Sequence, residues 1–265
     1  MTTEAVPLGT AIPSEREQKL AIIVPVYIYV SSKFFTNFSS LLLTLSEVPI
    51  LKIMQSVYPA QAMRHAIADL LKDKTWERIL VVETDMVMPP GAFLAHAHHT
   101  DDIVGSTYFQ HAPPFQMNVM FRHPTIGKLA HPTQLAGRHM IEHPALYSCA
   151  VVGLGCTSIA RRVCEEWPAD VPMFRTDYLP EAAGDEFTHG EISHDVWFGD
   201  HADALGFHTY LDTSIICSHL TEGWVDAGHY LADAARAEKL AENGKPSGIV
   251  VPNRAERRHL HVAQN

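Results

Sequence analysis

Four cysteines in 265 residues are too few for a disulfide-built scaffold. Cys149, Cys156, Cys164 and Cys217 follow one another at intervals of 7, 8 and 53. There is no Cys-x-x-Cys, which excludes a zinc knuckle or a thioredoxin-like dithiol. The four read as buried free thiols in a reducing compartment. Long apolar runs are missing too. The longest, Leu20 to Val30, is 11 residues and contains Pro25, against the ~20 needed to span a bilayer. It follows Glu4, Glu15 and Glu17 rather than a basic segment, unlike a signal peptide, so a soluble cytoplasmic protein is expected. Basic residues are scarce: 20 Lys and Arg against 30 Asp and Glu leave a net charge of −10. That is a poor match to a nucleic-acid backbone, which needs clustered Lys and Arg. No G-x-x-x-x-G-K, G-x-G-x-x-G, G-x-S-x-G or H-E-x-x-H occurs. The signatures of P-loop NTPases, common dehydrogenases, serine hydrolases and zincins are therefore absent.

Hydrophobic residues make up 46% and charged residues 19%, a globular balance that excludes a disordered or coiled-coil chain. Residues 1–18 are polar and carry Pro7, Gly9 and Pro13, so a flexible arm is expected there. The run Leu20–Val26 is apolar at every position, as in a strand covered on both faces. Ser31 or Ser32 then caps a helix whose apolar stripe is Phe34, Phe35, Phe38, Leu41, Leu42 and Leu45. A strand over Ile50–Ser56 and a helix over Pro59–Lys72 come after it. Next come a buried strand over Arg78–Val82, a helix opened by Pro89 and Pro90 and running to His98, and a strand over Ile103–Phe109. This alternation predicts an α/β fold with a mostly parallel, doubly wound sheet and helices on both faces.

Beyond it the pattern changes. Residues 111–144 contain three His-Pro dipeptides, His123-Pro124, His131-Pro132 and His143-Pro144, and read as hairpins and loops in a smaller antiparallel region. A strand is expected over Leu146–Val152, a turn at Gly153-Leu-Gly155 and a helix over Ser158–Trp167. A mobile loop is expected over Phe174–Thr188, a helix over Ser193–Leu205, and strands over Phe207–Leu211 and Ile215–Ser218. The expected C-terminal part, 226–265, is a helix to Leu240 and a polar tail. From Thr176 to Ala235 there are twelve acidic residues and no Lys or Arg. A cation or a hydroxyl-rich ligand would relieve that repulsion, and a solvated acidic face is the alternative. Trp197 and Trp224, within this stretch, offer flat apolar faces on which a sugar ring could pack.

Ligands of open α/β sheets bind beyond the carboxyl ends of the strands. Glu83-Thr84-Asp85 stands directly after a buried strand, and two carboxylates so placed suit Mg²⁺ or Mn²⁺ carrying a diphosphate. His96 and His99, at i and i+3, could hold a metal but more simply occupy a solvated helix face.

The segment Val81–Leu94 resembles the Asp-x-Asp segment of GT-A-fold glycosyltransferases, in which an apolar strand enters acid-x-acid and then a proline-started helix. Arg64, Val152-Gly-Leu-Gly-Cys156 with Arg161 and Arg162, and Ser193-His-Asp-Val-Trp-Phe198 agree with it in order. So do Ala204–Phe207, Tyr210-Leu-Asp212 and Cys217-Ser-His219, and the resemblance spans roughly residues 20–220. It implies a metal-dependent transferase of a sugar from a nucleoside-diphosphate sugar to a hydroxyl-bearing acceptor. It further implies one catalytic domain over 19–225, with a nucleotide half (19–110) and an acceptor half (111–225).

By the same resemblance, Asp85, His219 and Glu83 would hold Mn²⁺ (or Mg²⁺), and Glu83, Arg64 and Pro25 would lie on the nucleotide side. Asp195 would face the acceptor hydroxyl as base or orienter. Glu83 departs from the family, which usually has Asp there. Two other readings of the same residues remain. One is a metal-dependent phosphohydrolase or nucleotidyltransferase; the other is a non-catalytic module that binds glycan or protein.

Overall fold

The computed structural model describes residues 5–7, 16–26, 30–55, 58–110, 114–125, 127–175, 177–178, 191–220, 224–228, 230–232 and 235. In chain order the first elements are β1 (Ala5–Pro7), β2 (Leu20–Val26), α1 (Ser32–Leu42), β3 (Ile50–Gln55) and α2 (Pro59–Leu70). They are followed by β4 (Arg78–Val82), β5 (Met86–Val87), α3 (Ala92–His98) and β6 (Ile103–Thr107). Then come β7 (Val119–Arg122), β8 (Leu129–Ala130), α4 (Gln134–Glu142), β9 (Ala145–Cys149), β10 (Val151–Val152), β11 (Cys156–Ala160) and α5 (Arg161–Glu166). The last are β12 (Asp177–Tyr178), β13 (Glu191–Ile192), α6 (His194–Ala204), β14 (Thr209–Ile216), β15 (Ser218–Leu220) and β16 (Trp224–Val225).

The main sheet has eight strands in the order β1-β9-β14-β6-β11-β4-β2-β3. β3, β2 and β4 are mutually parallel, as are β6 and β14, while β11 and β9 each pair antiparallel with both neighbours. Six strands thus run one way and two the other, the mostly parallel α/β architecture the sequence predicts.

The period-2 alternation of β2 and β4 divides the core in two. Ala21, Ile23, Ile79 and Val81 pack with Met63, Ile67 and Leu70 of α2 and Phe198 of α6 on one face. Leu20, Ile22, Val24, Leu80 and Val82 pack with Phe34 and Phe38 of α1 and Phe93 of α3 on the other. Helices on both faces explain why β2 is apolar throughout and β4 is apolar after Arg78. Ser31 caps α1 by accepting from the Phe34 N–H (3.0 Å), worth about 1 kcal/mol. Phe35, placed on the buried stripe by its spacing, is 65% exposed. Arg78 is buried at the amino end of β4. It donates to Gln18 Oε1 (3.2 Å), Ser158 Oγ (3.1 Å) and the Asp101 carbonyl, tying three segments together.

Several expectations are corrected. Ser158–Ala160 is not the start of a helix but the end of β11, slotted antiparallel between β4 and β6, and the helix begins only at Arg161. The strand expected over Leu146–Val152 breaks at Ala150 into β9 of the main sheet and β10 of a second sheet, β10-β7-β8. The Pro- and His-rich stretch holds that small antiparallel sheet as expected, but also α4, whose N-cap Thr133 accepts from the Ala136 N–H (3.2 Å). Residues 5–7 of the expected arm pair with β9, using its open edge. Pro89 and Pro90 precede α3, which starts at Ala92 after Gly91 (φ 80°). His96 is fully buried rather than solvated, bonded to Ser106 (2.8 Å) and Ser158 (3.1 Å).

Of the described residues of the C-terminal segment, 227–228, 230–232 and 235 are helical and 226 is not. The rest of that expected helix and the tail lie outside the described residues. So does the expected mobile loop, apart from residues 174–175 and 177–178. All four cysteines are free thiols.

Gly105, in the middle of β6, sets how closely the small sheet approaches the large one. A Cβ there would lie 2.8 Å from Val152 Cβ and 2.9 Å from its Cγ2. The missing side chain lets β10 lie directly on the main sheet. Gly105→Ala is expected to lower stability by about 1–3 kcal/mol, the usual cost of overpacking, as measured by urea denaturation. An unchanged midpoint would show that β10 moves aside freely.

Candidate functional site

The carboxyl ends of the parallel strands β4, β6 and β14 point the same way, and a crevice of about 470 Å³ opens there. It is lined by Glu83, Asp85, Tyr108, Asn118, His131, His194, Asp195 and His219, among others. Four residues singled out by the sequence, from three distant segments, thus share one wall-to-wall space. Arg64 is exposed on α2, and Pro25 is buried near the end of β2, past the last residue of that strand paired with β4. Neither lines the crevice. Trp197, expected to offer a flat face to a sugar ring, instead donates to the Pro172 carbonyl (2.9 Å) and stacks on His201.

A turn leaves β4 with the Met86 N–H bonded back to the Glu83 carbonyl (3.2 Å). β5 then pairs with β15, setting Met86 opposite His219, and the Leu220 N–H donates to the Asp85 carbonyl (2.8 Å). This short ladder is what joins Asp85 to a histidine 134 residues away: His219 Nε2 lies 3.2 Å from Asp85 Oδ2. His219 Nδ1 lies 2.8 Å from the Phe109 carbonyl oxygen. A carbonyl only accepts, so Nδ1 carries a proton, and a neutral ring would turn a bare Nε2 toward a carboxylate oxygen. Two lone pairs at that distance need something positive between them: a second proton or a cation.

In the free protein the proton is favoured. Burial opposes charge on His219, but the hydrogen bond and charge of Asp85, the Phe109 carbonyl and Glu83 outweigh it and raise its pKa above 6.5. Among the described residues, the other oxygen, Asp85 Oδ1, is buried with no hydrogen-bond partner. Glu83 Oε1 lies 3.7 Å from His194 Nε2. Among the described residues, no three His, Cys, Asp or Glu side chains converge as a metal site.

Tyr108 follows β6 and forms the floor. The Gly155 N–H donates to its hydroxyl (3.2 Å), and its ring meets that of His219 edge-on at 5.2 Å. Burial first, then the charges of Glu83, Asp195 and Asp85, push its pKa well above 10, so the phenol stays protonated. A Cβ on Gly153 would lie 2.1 Å from the Tyr108 hydroxyl, and one on Gly155 2.5 Å from Met86 Cε. The Gly-Leu-Gly turn is required by that close approach. Asn118 holds Tyr108 in place: its Oδ1 accepts from the Tyr108 N–H (2.8 Å) and its Nδ2 donates to the Ser106 carbonyl (3.0 Å). Asp195 sits in the first turn of α6, where it accepts from the Ser193 hydroxyl and the Val196 N–H (2.9 Å). The helix dipole favours a carboxylate there, and the same position brings it to the crevice.

Sequence reasoning missed Tyr108, Asn118, His131 and His194 as crevice residues. Tyr108 could have been found, since it stands directly beyond a buried parallel strand. His194 is adjacent to Asp195, itself a candidate from the sequence. Asn118 and His131 carry no local signal. Asp212, in contrast, holds the end of β14 as a structural acceptor, from Ser214 N–H (2.8 Å) and His99 Nε2 (3.1 Å).

No protein-family profile matches the sequence, and no curated protein sequence matches it. Among solved structures, the fold is similar to that of A197 from STIV, with TM-score 0.50 and 17% identity over 77% of this chain and 86% of that one. The chain also matches GalNAc-T7, crystallised with UDP, GalNAc and Mn²⁺, at TM-score 0.43 and 9% identity over 93% of this chain and 55% of that one. A third match is the inositol-1-phosphate CTP transferase from T. maritima, at 0.37 and 11% over 77% and 70%. Of these three, the likeness to A197 bears on the fold, and none bears on the chemistry.

The His219 imidazole should titrate above 6.5 by NMR. Asp85→Asn removes the largest influences that raise it and leaves burial, the Phe109 carbonyl and Glu83, so the midpoint should fall. Because the folded pKa is raised, the linked stability is fully present below the unfolded value and is lost as pH rises through the folded one. A midpoint unmoved by Asp85→Asn would mean that the pair does not interact.

Proposed function

We propose that the crevice transfers a sugar from a nucleoside-diphosphate sugar to a hydroxyl-bearing acceptor with the help of a divalent cation. One observation carries this reading: the buried Asp85 Oδ1, without a hydrogen-bond partner among the described residues, beside the Asp85–His219 pair. Two hard oxygens and one imidazole nitrogen, at the carboxyl ends of parallel strands, suit Mn²⁺ better than Mg²⁺. Asp85 and His219 are the residues that would hold it. Two protein ligands suffice when substrate phosphates and water complete the shell. Bound there, the cation would supply Lewis-acid stabilisation of the charge on the departing diphosphate.

The chain's own groups do the rest. Phe109 fixes the His219 tautomer through its carbonyl, as partners of ligating histidines commonly do. Glu83, with Oε1 3.7 Å from His194 Nε2, meets the ribose hydroxyls or a metal-bound water. Asp195 offers a carboxylate to the acceptor hydroxyl and orients it. Tyr108 and the Gly153–Gly155 turn close the floor against water. Arg64 and Pro25, outside the lining, belong to the nucleotide half of this reading.

A thermal-shift panel of nucleoside diphosphates with and without Mn²⁺ tests it. A ligand at a hundred times its Kd adds roughly 2.7 kcal/mol, an easily seen shift for one base with Mn²⁺ and a small one without. Asp85→Ala and His219→Ala should each remove the Mn²⁺-dependent part while the variants stay folded. Normal metal and nucleotide binding by His219→Ala would show the ligand assignment to be wrong. Release of phosphate or pyrophosphate, in place of a nucleoside diphosphate, would mark a hydrolase or nucleotidyltransferase.

Asp195→Asn should keep nucleotide affinity and lower turnover by roughly a hundredfold. Weakened nucleotide affinity with unchanged turnover would place Asp195 on the donor side.

A further inference from the structure

None of the three His-Pro dipeptides has a part in the transfer proposed for the crevice, yet the second of them reaches it. His131 lies between β8 and α4, followed by Pro132 and the N-cap Thr133, so its backbone is fixed from both sides. Its Nδ1 is 3.0 Å from the Met117 carbonyl oxygen and 2.9 Å from that of Val119. Both oxygens only accept, so Nδ1 carries the proton and Nε2, on the far edge of the ring, is bare. The two carbonyls belong to a tight turn in which the Val119 N–H bonds back to Met117 (2.8 Å), and Asn118 at its centre is locked to Tyr108.

The imidazole is therefore held in one tautomer by the wall of the crevice that it lines. Its Nε2 has no hydrogen-bond partner among the described residues, and the ring joins no three-ligand metal set there.

Burial lowers the His131 pKa from 6.5, outweighing the two carbonyls and the charge of Asp195, so the ring is neutral at neutral pH. The titratable groups that share the crevice with it are Asp195 and His194 of α6, Glu83 and Asp85 after β4, Tyr108 after β6, and His219 of β15. Among these, Asp195 favours the charged imidazole.

We infer that His131 is the base of the reaction, its Nε2 taking the proton of the acceptor hydroxyl as that oxygen attacks. The oxygen bonds to the anomeric carbon of the donor sugar. The bond from that carbon to the diphosphate oxygen breaks, and its electron pair leaves with the nucleoside diphosphate. The proton ends on the imidazole, where the Asp195 carboxylate stabilises the imidazolium. A base whose pKa lies below the working pH is deprotonated and ready to take a proton. This rests on the transferase reading and adds to it which group moves the proton.

The test uses the full chain with water as acceptor, so that no acceptor need be known. Release of nucleoside diphosphate from nucleoside-diphosphate sugars is measured in wild type and His131→Ala, alongside binding of UDP, GDP, CDP and ADP with Mn²⁺. Expected is unchanged nucleotide binding, turnover lower by roughly a hundredfold or more, and recovery when free imidazole is added. The acidic limb of the wild-type kcat/KM profile, with a midpoint below 6.5, should be missing from the variant.

Equal turnover in the two proteins overturns the assignment, as does a loss that imidazole does not recover while nucleotide still binds. Should His131→Ala fail to fold, diethylpyrocarbonate supplies the second measurement on the wild type. Inactivation should track carbethoxylation of His131 by mass spectrometry, and full activity of the modified protein overturns the assignment. A wild type that binds no nucleoside diphosphate overturns the transferase reading, and this one with it.

Discussion

A carboxylate and an imidazole held 3.2 Å apart, with the imidazole's other nitrogen already committed to a carbonyl, is the constraint on which the site depends. The arrangement is unstable with both groups in their ordinary neutral-pH states, and only positive charge between them relieves it. The short ladder between β5 and β15 enforces it, and that ladder has no apolar pattern of its own to justify it. Its two strands are two and three residues long. They are held because they cap the carboxyl ends of β4 and β14, which the core fixes.

The crevice depends on a second device, the antiparallel insertion of β11 between two parallel sets. Its hydroxyls are satisfied inside the protein: Thr157 donates to the Gly153 carbonyl (2.7 Å), and Ser158 meets Arg78 (3.1 Å) and His96 (3.1 Å). Buried polar groups without partners cost about 1–3 kcal/mol each, so this network specifies where β11 can sit. With β11 in place, the Gly153–Gly155 turn is pressed against Tyr108, and Gly105 lets β10 cross the sheet. The small β10-β7-β8 sheet then forms the wall opposite the acidic strand end.

Where reading the sequence fails, the failures share a cause. Cys156-Thr-Ser-Ile-Ala160 runs directly into Arg161-Arg-Val-Cys-Glu-Glu166, and periodicity in so short a span does not separate a buried strand from the first turn of a helix. α4 is hidden by Gly137 and by the prolines around it. Gly137 is tolerated because the Tyr230 hydroxyl lies 1.9 Å from where its Cβ would be, a tertiary reason with no local trace. His96 reads as solvated because its partners Ser106 and Ser158 are 10 and 62 residues away. β2, apolar at every position from Leu20 to Val26, in contrast announces itself, because both its faces are covered by helices.

The sequence by itself determined the doubly wound frame, the cap of α1, and the acidic pair at the end of β4. These depend on local periodicity and on residues near in the chain. It also ordered Asp85, Asp195 and His219 along the chain. Tertiary structure alone decided that these three share a crevice, that Glu83 lies within 3.7 Å of His194, and that Tyr108, Asn118 and His131 complete the walls. It decided the tautomers of His131 and His219 as well. A ring nitrogen takes its proton according to the carbonyl it meets, and those carbonyls, at Met117, Val119 and Phe109, are brought near only by strand pairings between distant segments.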